Sequence, residues 1–187
     1  MMKRSALFYV HQRAGARFVE HCGWELPASF TSAEREAART GISAGIADLS
    51  HYGKFDLKTQ LAQPWWRLGA NHYLIIGEAL MDPPSGATDV TSVYANFRLV
   101  GPRSREMLSK LTSLNLSDVA LPNLACAQAN VAHVHGIVLR KDIGPVPAFY
   151  LLVGREYGES VWQSITHAGD EFCLCPFGLE ALQSLEK

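Results

Sequence analysis

The sequence predicts a single α+β domain whose second half follows the element order βαββαβ. Beyond about residue 87, apolar stretches of strand length alternate with segments whose apolar residues recur at helical spacing, and two strands follow each other between two helices. This order is that of a ferredoxin-like sandwich. The chain has 187 residues, of which 48% are apolar and 19% charged, and these values are typical of one globular domain.

The first part of the chain predicts two helices separated by an extended segment. In order, these are a helix over residues 6–14, an extended run over residues 16–27 and a helix over residues 32–41. Thr31 and Glu34 form a capping-box pattern at the start of the second helix, and Gly41 ends it.

A turn and then a strand are predicted over residues 47–58, with Phe55 and Leu57 on one face. Residues 66–76 predict a hairpin with a glycine turn. The loop over residues 81–86 is rich in proline and is the best candidate for an internal boundary.

We therefore divide the single domain 1–187 into an N-terminal part, 1–82, and a ferredoxin-like part, 87–187. The elements predicted for the second part are strand 92–100, a helix from Gly101 and Pro102, strands 127–139 and 148–153, helix 157–168, strand 171–175 and helix 179–185.

The charge pattern excludes several classes of partner. The net charge is −1 and no run of lysine or arginine exceeds two residues, which argues against nucleic acid and against a polybasic membrane anchor. No stretch of about eighteen apolar residues occurs, so we expect no membrane span. Arg13 and Arg17 follow the basic start where a secretory signal would be apolar, so we expect a cytoplasmic protein.

Histidine and cysteine pairs do not predict a metal site. Cys173 and Cys175 lack zinc-ligand spacing and would share a strand face as small buried side chains. His133 and His135 would also share a face, and we expect them to be polar residues on the solvent side rather than metal ligands. No nucleotide-binding glycine loop, nucleophile elbow or paired carboxylate at catalytic spacing occurs, so no catalytic residue is predicted.

Two segments carry a resemblance to a known family. Residues 18–27 contain Gly23-Trp24-Glu25-Leu26-Pro27, and residues 47–55 contain Asp48-Leu49-Ser50-His51-Tyr52-Gly53. They resemble the Gly-Trp-Glu-Met-Pro and Phe-Asp-Val-Ser-His-Met-Gly motifs of the glycine-cleavage T-protein, an aminomethyltransferase. The resemblance implies a T-protein-like folate-binding-domain fold. The matching residues are dense up to residue 58 and sparse afterwards.

The departures from the T-protein concern its folate ligands. The long segment that holds the family's essential aspartate is reduced here to residues 59–64, and residues 141–150 replace the motif whose last glutamate contacts the pterin. Leu182 stands near the place of a family arginine, and the C-terminal barrel is absent. Each lost charged partner costs about 2–5 kcal/mol of binding, so the resemblance implies weak or lost binding of tetrahydrofolate.

Three residues remain as folate-pocket candidates by this resemblance. Tyr52 matches a family position that lines the folate pocket, and His51 and Asp56 flank it. The alternative is that Tyr52 is a plain core aromatic residue and His51 a hydrogen-bonded turn residue.

The chain also resembles the small gamma subunit of heterotetrameric sarcosine oxidase, in residues 68–75, 89–96 and 101–102. That subunit carries no flavin and docks on larger flavoprotein subunits. The resemblance implies an accessory subunit of an amine-oxidising complex, with larger oxidase subunits or a second copy as partners and no activity by itself. The competing hypotheses are a folate-binding aminomethyltransferase and a binding domain for another methylated compound.

Overall fold

The computed structural model describes residues 2–58, 66–78 and 82–186. Within these ranges the strands form three sheets, of three, six and four strands. The strands are β1 (Lys3–Arg4), β2 (Arg17–His21), β3 (Trp24–Ser29), β4 (Gly45–Asp48), β5 (Gly53–Lys58), β6 (Trp66–Gly69), β7 (His72–Gly77), β8 (Thr88–Asp89), β9 (Tyr94–Val100), β10 (Cys126–Val131), β11 (Val134–Arg140), β12 (Ala148–Gly154) and β13 (Cys175–Pro176). The helices are α1 (Phe8–Arg13), α2 (Ala33–Ile42), α3 (Ser104–Ser109), α4 (Gly158–Gly169) and α5 (Leu179–Leu185), with 3₁₀ turns at Arg155–Tyr157 and Asp170–Phe172.

The six-stranded sheet combines both parts of the chain, in the order β10-β11-β12-β9-β4-β13. Strand β4 comes from the N-terminal part and pairs antiparallel with β9, from Gly45 opposite Val100 to Asp48 opposite Phe97. It pairs in parallel with β13 on its other side. The end of β4 and the turn that follows it are therefore fixed against the largest sheet of the domain.

Alternation along β9 separates two hydrophobic cores. Ala95, Phe97 and Leu99 pack in one core with Trp162 of α4 and residues of α3. Val100 faces the other core, which contains residues of α5 and β12. Burying a large apolar side chain stabilises the fold by about 1.5–3 kcal/mol, so these two faces hold the helices on opposite sides of the sheet.

Most predicted elements are confirmed. The α+β class, helices α1 and α4, the β6–β7 hairpin and the final helix Leu179–Leu185 all appear where the sequence predicts them. The predicted capping box is wrong in detail. Ser32 is the N-cap of α2 and accepts the Arg35 N–H at 3.4 Å, while Glu36 rather than Glu34 accepts the Thr31 N–H.

The strand predicted over residues 127–139 is instead the hairpin β10–β11. Ala132 and His133 form its turn with φ of 50° and 67°, a left-handed conformation for which glycine or asparagine is the usual sequence signal. The order from β9 to β13 is therefore βαβββαβ. His133 lies in the turn and His135 in β11, so the prediction that they alternate on one strand is wrong.

The strand predicted over residues 171–175 is also wrong. Residues Asp170–Phe172 form a 3₁₀ turn, and Cys173 follows with a φ of 50°. This left-handed residue reverses the chain, so Cys173 is exposed whereas Cys175 is buried in β13. The two cysteines do not share a strand face.

The proposed boundary between residues 1–82 and 87–187 stays a prediction, and residues 59–65 and 79–81 lie outside the described ranges. No helix within the described residues is long and apolar enough to cross a membrane.

Candidate functional site

A pocket of about 70 Å³ lies between the turn that follows β4 and helix α5. His51 and Tyr52, two of the three predicted candidates, belong to its lining. The full lining is His21, His51, Tyr52, Glu78, Leu179, Leu182, Gln183 and Glu186. Because these residues come from four separate segments of the chain, the pocket exists only in the folded domain.

The turn that carries His51 and Tyr52 is built on the buried carboxylate of Asp48. Its Oδ1 accepts the Ser50 N–H at 3.0 Å and the Ser50 hydroxyl at 2.5 Å, which is an Asx-type turn. Its Oδ2 lies 3.2 Å from Nε2 of His11 in α1. Burial alone would raise the pKa of Asp48, but these hydrogen bonds and the charge of His11 hold it well below its usual range.

Lys54 holds the same turn from the other side. Its side chain is fully buried, and Nζ donates to the carbonyl oxygens of Ser50 at 2.9 Å and Tyr52 at 2.8 Å. Burial lowers the pKa of Lys54 to about 8, although the nearby charge of Asp48 opposes this shift. The lysine thus fixes the backbone on both sides of His51.

His51 and Tyr52 are both electrically neutral near pH 7. Burial lowers the pKa of His51 to about 4 despite the opposing charge of Asp48. Its Nδ1 has no hydrogen-bond partner among the described residues. Burial also raises the pKa of Tyr52 above its usual range. The two rings meet edge to face at 4.9 Å, so this wall of the pocket is aromatic and uncharged.

Helix α5 forms the opposite wall and is positioned by Glu36 of α2. The Glu36 Oε2 accepts the Gly178 N–H at 2.9 Å, and Oε1 accepts the N–H groups of Phe30 at 2.7 Å and Thr31 at 2.6 Å. A Cβ on Gly178 would lie 2.2 Å from the carbonyl oxygen of Ala28, so the backbone requires glycine here. The start of α5 is therefore fixed against α2 and β3.

Asp56, the third predicted candidate, is not part of the pocket lining. It lies on β5, and its Oδ2 is 2.5 Å from Nε2 of His72 on the neighbouring strand β7. Its contact in the structure is thus a cross-strand pair, and a folate role for it stays a prediction.

Sequence reasoning missed the other polar residues of the pocket, namely His21, Glu78, Gln183 and Glu186. They bring two carboxylates close to Tyr52. The volume of about 70 Å³ is well below the about 300–1,000 Å³ of typical small-molecule sites, so the pocket in this conformation is too small for a ligand of folate size. Among the described residues, no group of three or more His, Cys, Asp or Glu side chains is placed to hold a metal ion.

Comparison with protein families and curated proteins shows which proteins this chain is similar to. The GCVT N-terminal domain family matches residues 68–187. An aminomethyltransferase of Geobacillus sp. strain WCH70 is 26% identical over 99% of this chain and 64% of its own length. One of Halothermothrix orenii is 24% identical over 98% of this chain and 64% of its own length.

The chain is shorter than the relatives that it matches. It spans just under two thirds of the length of the curated relatives that it matches. The alignment with the Geobacillus protein extends over 232 residues, more than the 187 of this chain, so that relative carries internal segments that this chain lacks.

Two solved structures share the fold. The glycine cleavage system aminomethyltransferase T of Bartonella henselae has a TM-score of 0.77 and 15% identity, over 100% of this chain and 62% of its own. A chain of the heterotetrameric sarcosine oxidase of Corynebacterium sp. U-96 has a TM-score of 0.63 and 12% identity, over 91% of this chain and 96% of its own. The predicted T-protein-like fold is confirmed, and the sarcosine oxidase chain shares that fold.

Proposed function

This chain belongs to the GCVT N-terminal domain family, and on that premise we propose that it is an accessory, gamma-like subunit of a sarcosine- or amine-oxidising, folate-linked complex. In this proposal it carries no flavin and no catalytic residue. Its partners are larger flavoprotein oxidase subunits, and the complex is cytoplasmic.

One observation carries the proposal, namely the extent of the match to sarcosine oxidase. The alignment covers 96% of the matched oxidase chain but 62% of the Bartonella T-protein. The match therefore extends over nearly the whole of the oxidase chain, but not over the whole of the T-protein. The oxidase is heterotetrameric, which supports a role for this chain within an assembly.

The candidate site also supports an accessory role. Its aromatic wall consists of a neutral histidine and a neutral tyrosine, and its volume is about 70 Å³. A carboxylate that assists transfer to folate has to face the reacting atoms, but Asp48 is occupied by His11 and Ser50, and Asp56 by His72. The carboxylates that do line the pocket, Glu78 and Glu186, border a space that is too small for a folate.

The proposal predicts co-purification with a flavoprotein. The tagged full chain, expressed in its native host and isolated under non-denaturing conditions, should carry a larger subunit that shows flavin fluorescence and sarcosine-dependent oxidase activity. The same tag on an unrelated protein of similar size controls for non-specific recovery. Isolation of this chain only as a flavin-free monomer or homodimer would contradict the proposal.

A second candidate function is a folate-binding aminomethyltransferase that works alone or with a partner. The pocket favours it in one respect, because Glu78, Gln183 and Glu186 lie beside Tyr52 and offer hydrogen-bond acceptors of the kind that hold a pterin.

Titration with tetrahydrofolate separates the two functions. Binding is followed by quenching of tryptophan fluorescence, to which Trp66 and Trp24 contribute; Trp24 pairs in the β2–β3 ladder with His21 of the pocket. As an accessory subunit the chain should give no saturable signal up to millimolar ligand. Saturation at micromolar ligand, abolished by Tyr52→Ala but not by Tyr9→Ala at an exposed position, would establish the folate function instead.

A further inference from the structure

A group of basic side chains lies apart from the pocket of His51. These side chains surround a second pocket, the pocket of Lys3, whose volume of about 440 Å³ is within the range of small-molecule sites. Its lining is Met2, Lys3, Arg4, Trp24, Ser92 and Arg155. The two linings have no described residue in common, and the second contains three cations.

Each of the three cations is held in place by a contact of its own. Arg4 donates from Nε to Glu25 at 2.7 Å, and Nη2 of Arg155 donates to the carbonyl oxygen of Arg4 at 3.2 Å. Nζ of Lys3 lies 5.7 Å from the ring centroid of Trp24. The contacts gather the charged groups of β1 and of the 3₁₀ turn after β12 around one pocket before a ligand arrives, which lowers the entropic cost of binding.

The charges of the pocket of Lys3 are not balanced from within it. Among the described residues, no carboxylate belongs to its lining. Glu25 pairs with Arg4, whereas Lys3 and Arg155 form no ion pair in the part of the chain that the structure describes. The pocket therefore presents one paired and two unpaired cations, and this combination attracts anions.

Two titrating neighbours respond to the unpaired cations. Burial is the main reason that the pKa of Lys54 falls to about 8, and the charge of Arg155 lowers it further. Hydrogen bonds from Thr91 are the main reason that the pKa of Asp89 lies below its usual range, and the charge of Lys3 lowers it further. Asp89 thus offsets part of the Lys3 charge from outside the lining, whereas Arg155 lies close to another cation.

The acidic side chains of an adjoining pocket limit where an anion can lie. That pocket shares Arg155 with the pocket of Lys3 and also contains Glu156 and Glu159. Glu159 pairs with Arg13 at 3.1 Å, so its charge is engaged. Glu156 forms no ion pair within the described ranges, and an anion is therefore expected on the far side of Arg155, next to β1.

We propose that the pocket of Lys3 binds the phosphate group of a small organic phosphoester. The phosphate contacts the three cations, and the hydroxyl of Ser92 supplies a further donor. A phosphomonoester carries close to two negative charges, so with no carboxylate in the lining to oppose it, it is attracted more strongly than a carboxylate is. The remaining volume places the organic part against Met2 and Trp24. The proposal does not depend on the accessory-subunit function.

Nuclear magnetic resonance of the full chain tests this directly. Phenyl phosphate, potassium phosphate, potassium benzoate and phenol are titrated separately at constant ionic strength. The indole N–H resonance of Trp24 and the amide resonances of Ser92 and Arg155 are followed. Phenyl phosphate should shift them saturably in the millimolar range, because one exposed ion pair raises affinity by at most about 5-fold. It should bind at least about 3-fold more tightly than benzoate or inorganic phosphate, and phenol should give no response.

Variants of exposed cations provide the control. Arg155→Met should weaken binding of phenyl phosphate by about 5-fold, and the double variant Lys3→Met with Arg155→Met should abolish saturable binding. Arg35 on α2 is exposed, lies outside the lining and, like Arg155, forms no ion pair among the described residues. Arg35→Met is therefore the matched control and should leave binding unchanged.

Several outcomes would overturn the proposal. These are equal binding by the wild type and the double variant, an equal loss in Arg35→Met, tighter binding of benzoate than of phenyl phosphate, equal binding of inorganic phosphate and phenyl phosphate, and no saturable response to phenyl phosphate. Since Lys3 and Arg155 are exposed, the variants should fold as the wild type does, and circular dichroism checks this.

Discussion

Replacement of Asp48 by alanine is expected to lower the free energy of unfolding by about 3–5 kcal/mol. The Asp48 side chain is buried, and its removal leaves the Ser50 N–H and hydroxyl and the His11 ring without their acceptor. Lys54, whose ammonium group is also buried, loses a nearby negative charge. Chemical denaturation followed by circular dichroism measures the loss.

Asp89→Ala is the matched control for the local turn. Asp89 makes the same type of turn, since its Oδ1 accepts the Thr91 N–H at 2.8 Å, but it is exposed. Its replacement should reduce stability far less than Asp48→Ala. A similar small loss in both variants would contradict the view that the buried network, rather than the turn, stabilises the fold.

The hydrogen bonds of Asp48 also predict how the stability of the fold changes as the pH falls. The folded-state pKa of Asp48 is held below its unfolded value of about 3.9, so its contribution is present above that pH and is lost as the pH falls below it. In the Asp48→Ala variant this part of the pH dependence should disappear, whereas the loss from His51 between about pH 6.5 and about pH 4 should persist.

How far the fold could be predicted depended on whether local patterns agreed with long-range packing. Helix α5 begins after Gly178, and its apolar spacing places Ala181 and Leu182 in the core, so its bounds were predicted correctly. The β10–β11 turn was missed because Ala132 and His133 adopt left-handed backbone conformations without glycine or asparagine. There the favourable pairing of the two strands outweighs the local strain.

The site was only partly predictable for a similar reason. His51 and Tyr52 lie in one motif, but Glu78 and Glu186 reach the same pocket from distant positions, and no local pattern encodes that meeting. The buried Arg98 did leave a signal in the sequence, since it is the single charged residue of β9 and stands between Phe97 and Leu99. A buried strand with a single charge inside is a reason to look for a functional role.

Glu36→Ala is the second substitution with a large expected effect, a loss of about 2–4 kcal/mol in the free energy of unfolding. Glu36 is fully buried, and its carboxylate accepts N–H groups of Phe30, Thr31 and Gly178. Without it, three N–H groups, of which that of Gly178 is buried, lose their acceptor, and the start of α5 loses its link to α2. Because Gly178 is the N-cap of α5, amide exchange at Leu182 in the helix and at Glu186 directly after it should also accelerate.

Glu34→Ala on the same helix separates this effect from helix propensity. Glu34 lies at the exposed side of the first turn of α2, so its loss should change stability little and leave exchange in α5 unaltered. If Glu36→Ala lowered stability while exchange in α5 stayed at the wild-type rate, the carboxylate would support α2 alone. The position of α5, and with it the geometry of the pocket of His51, would then depend on apolar packing rather than on this charge-assisted link.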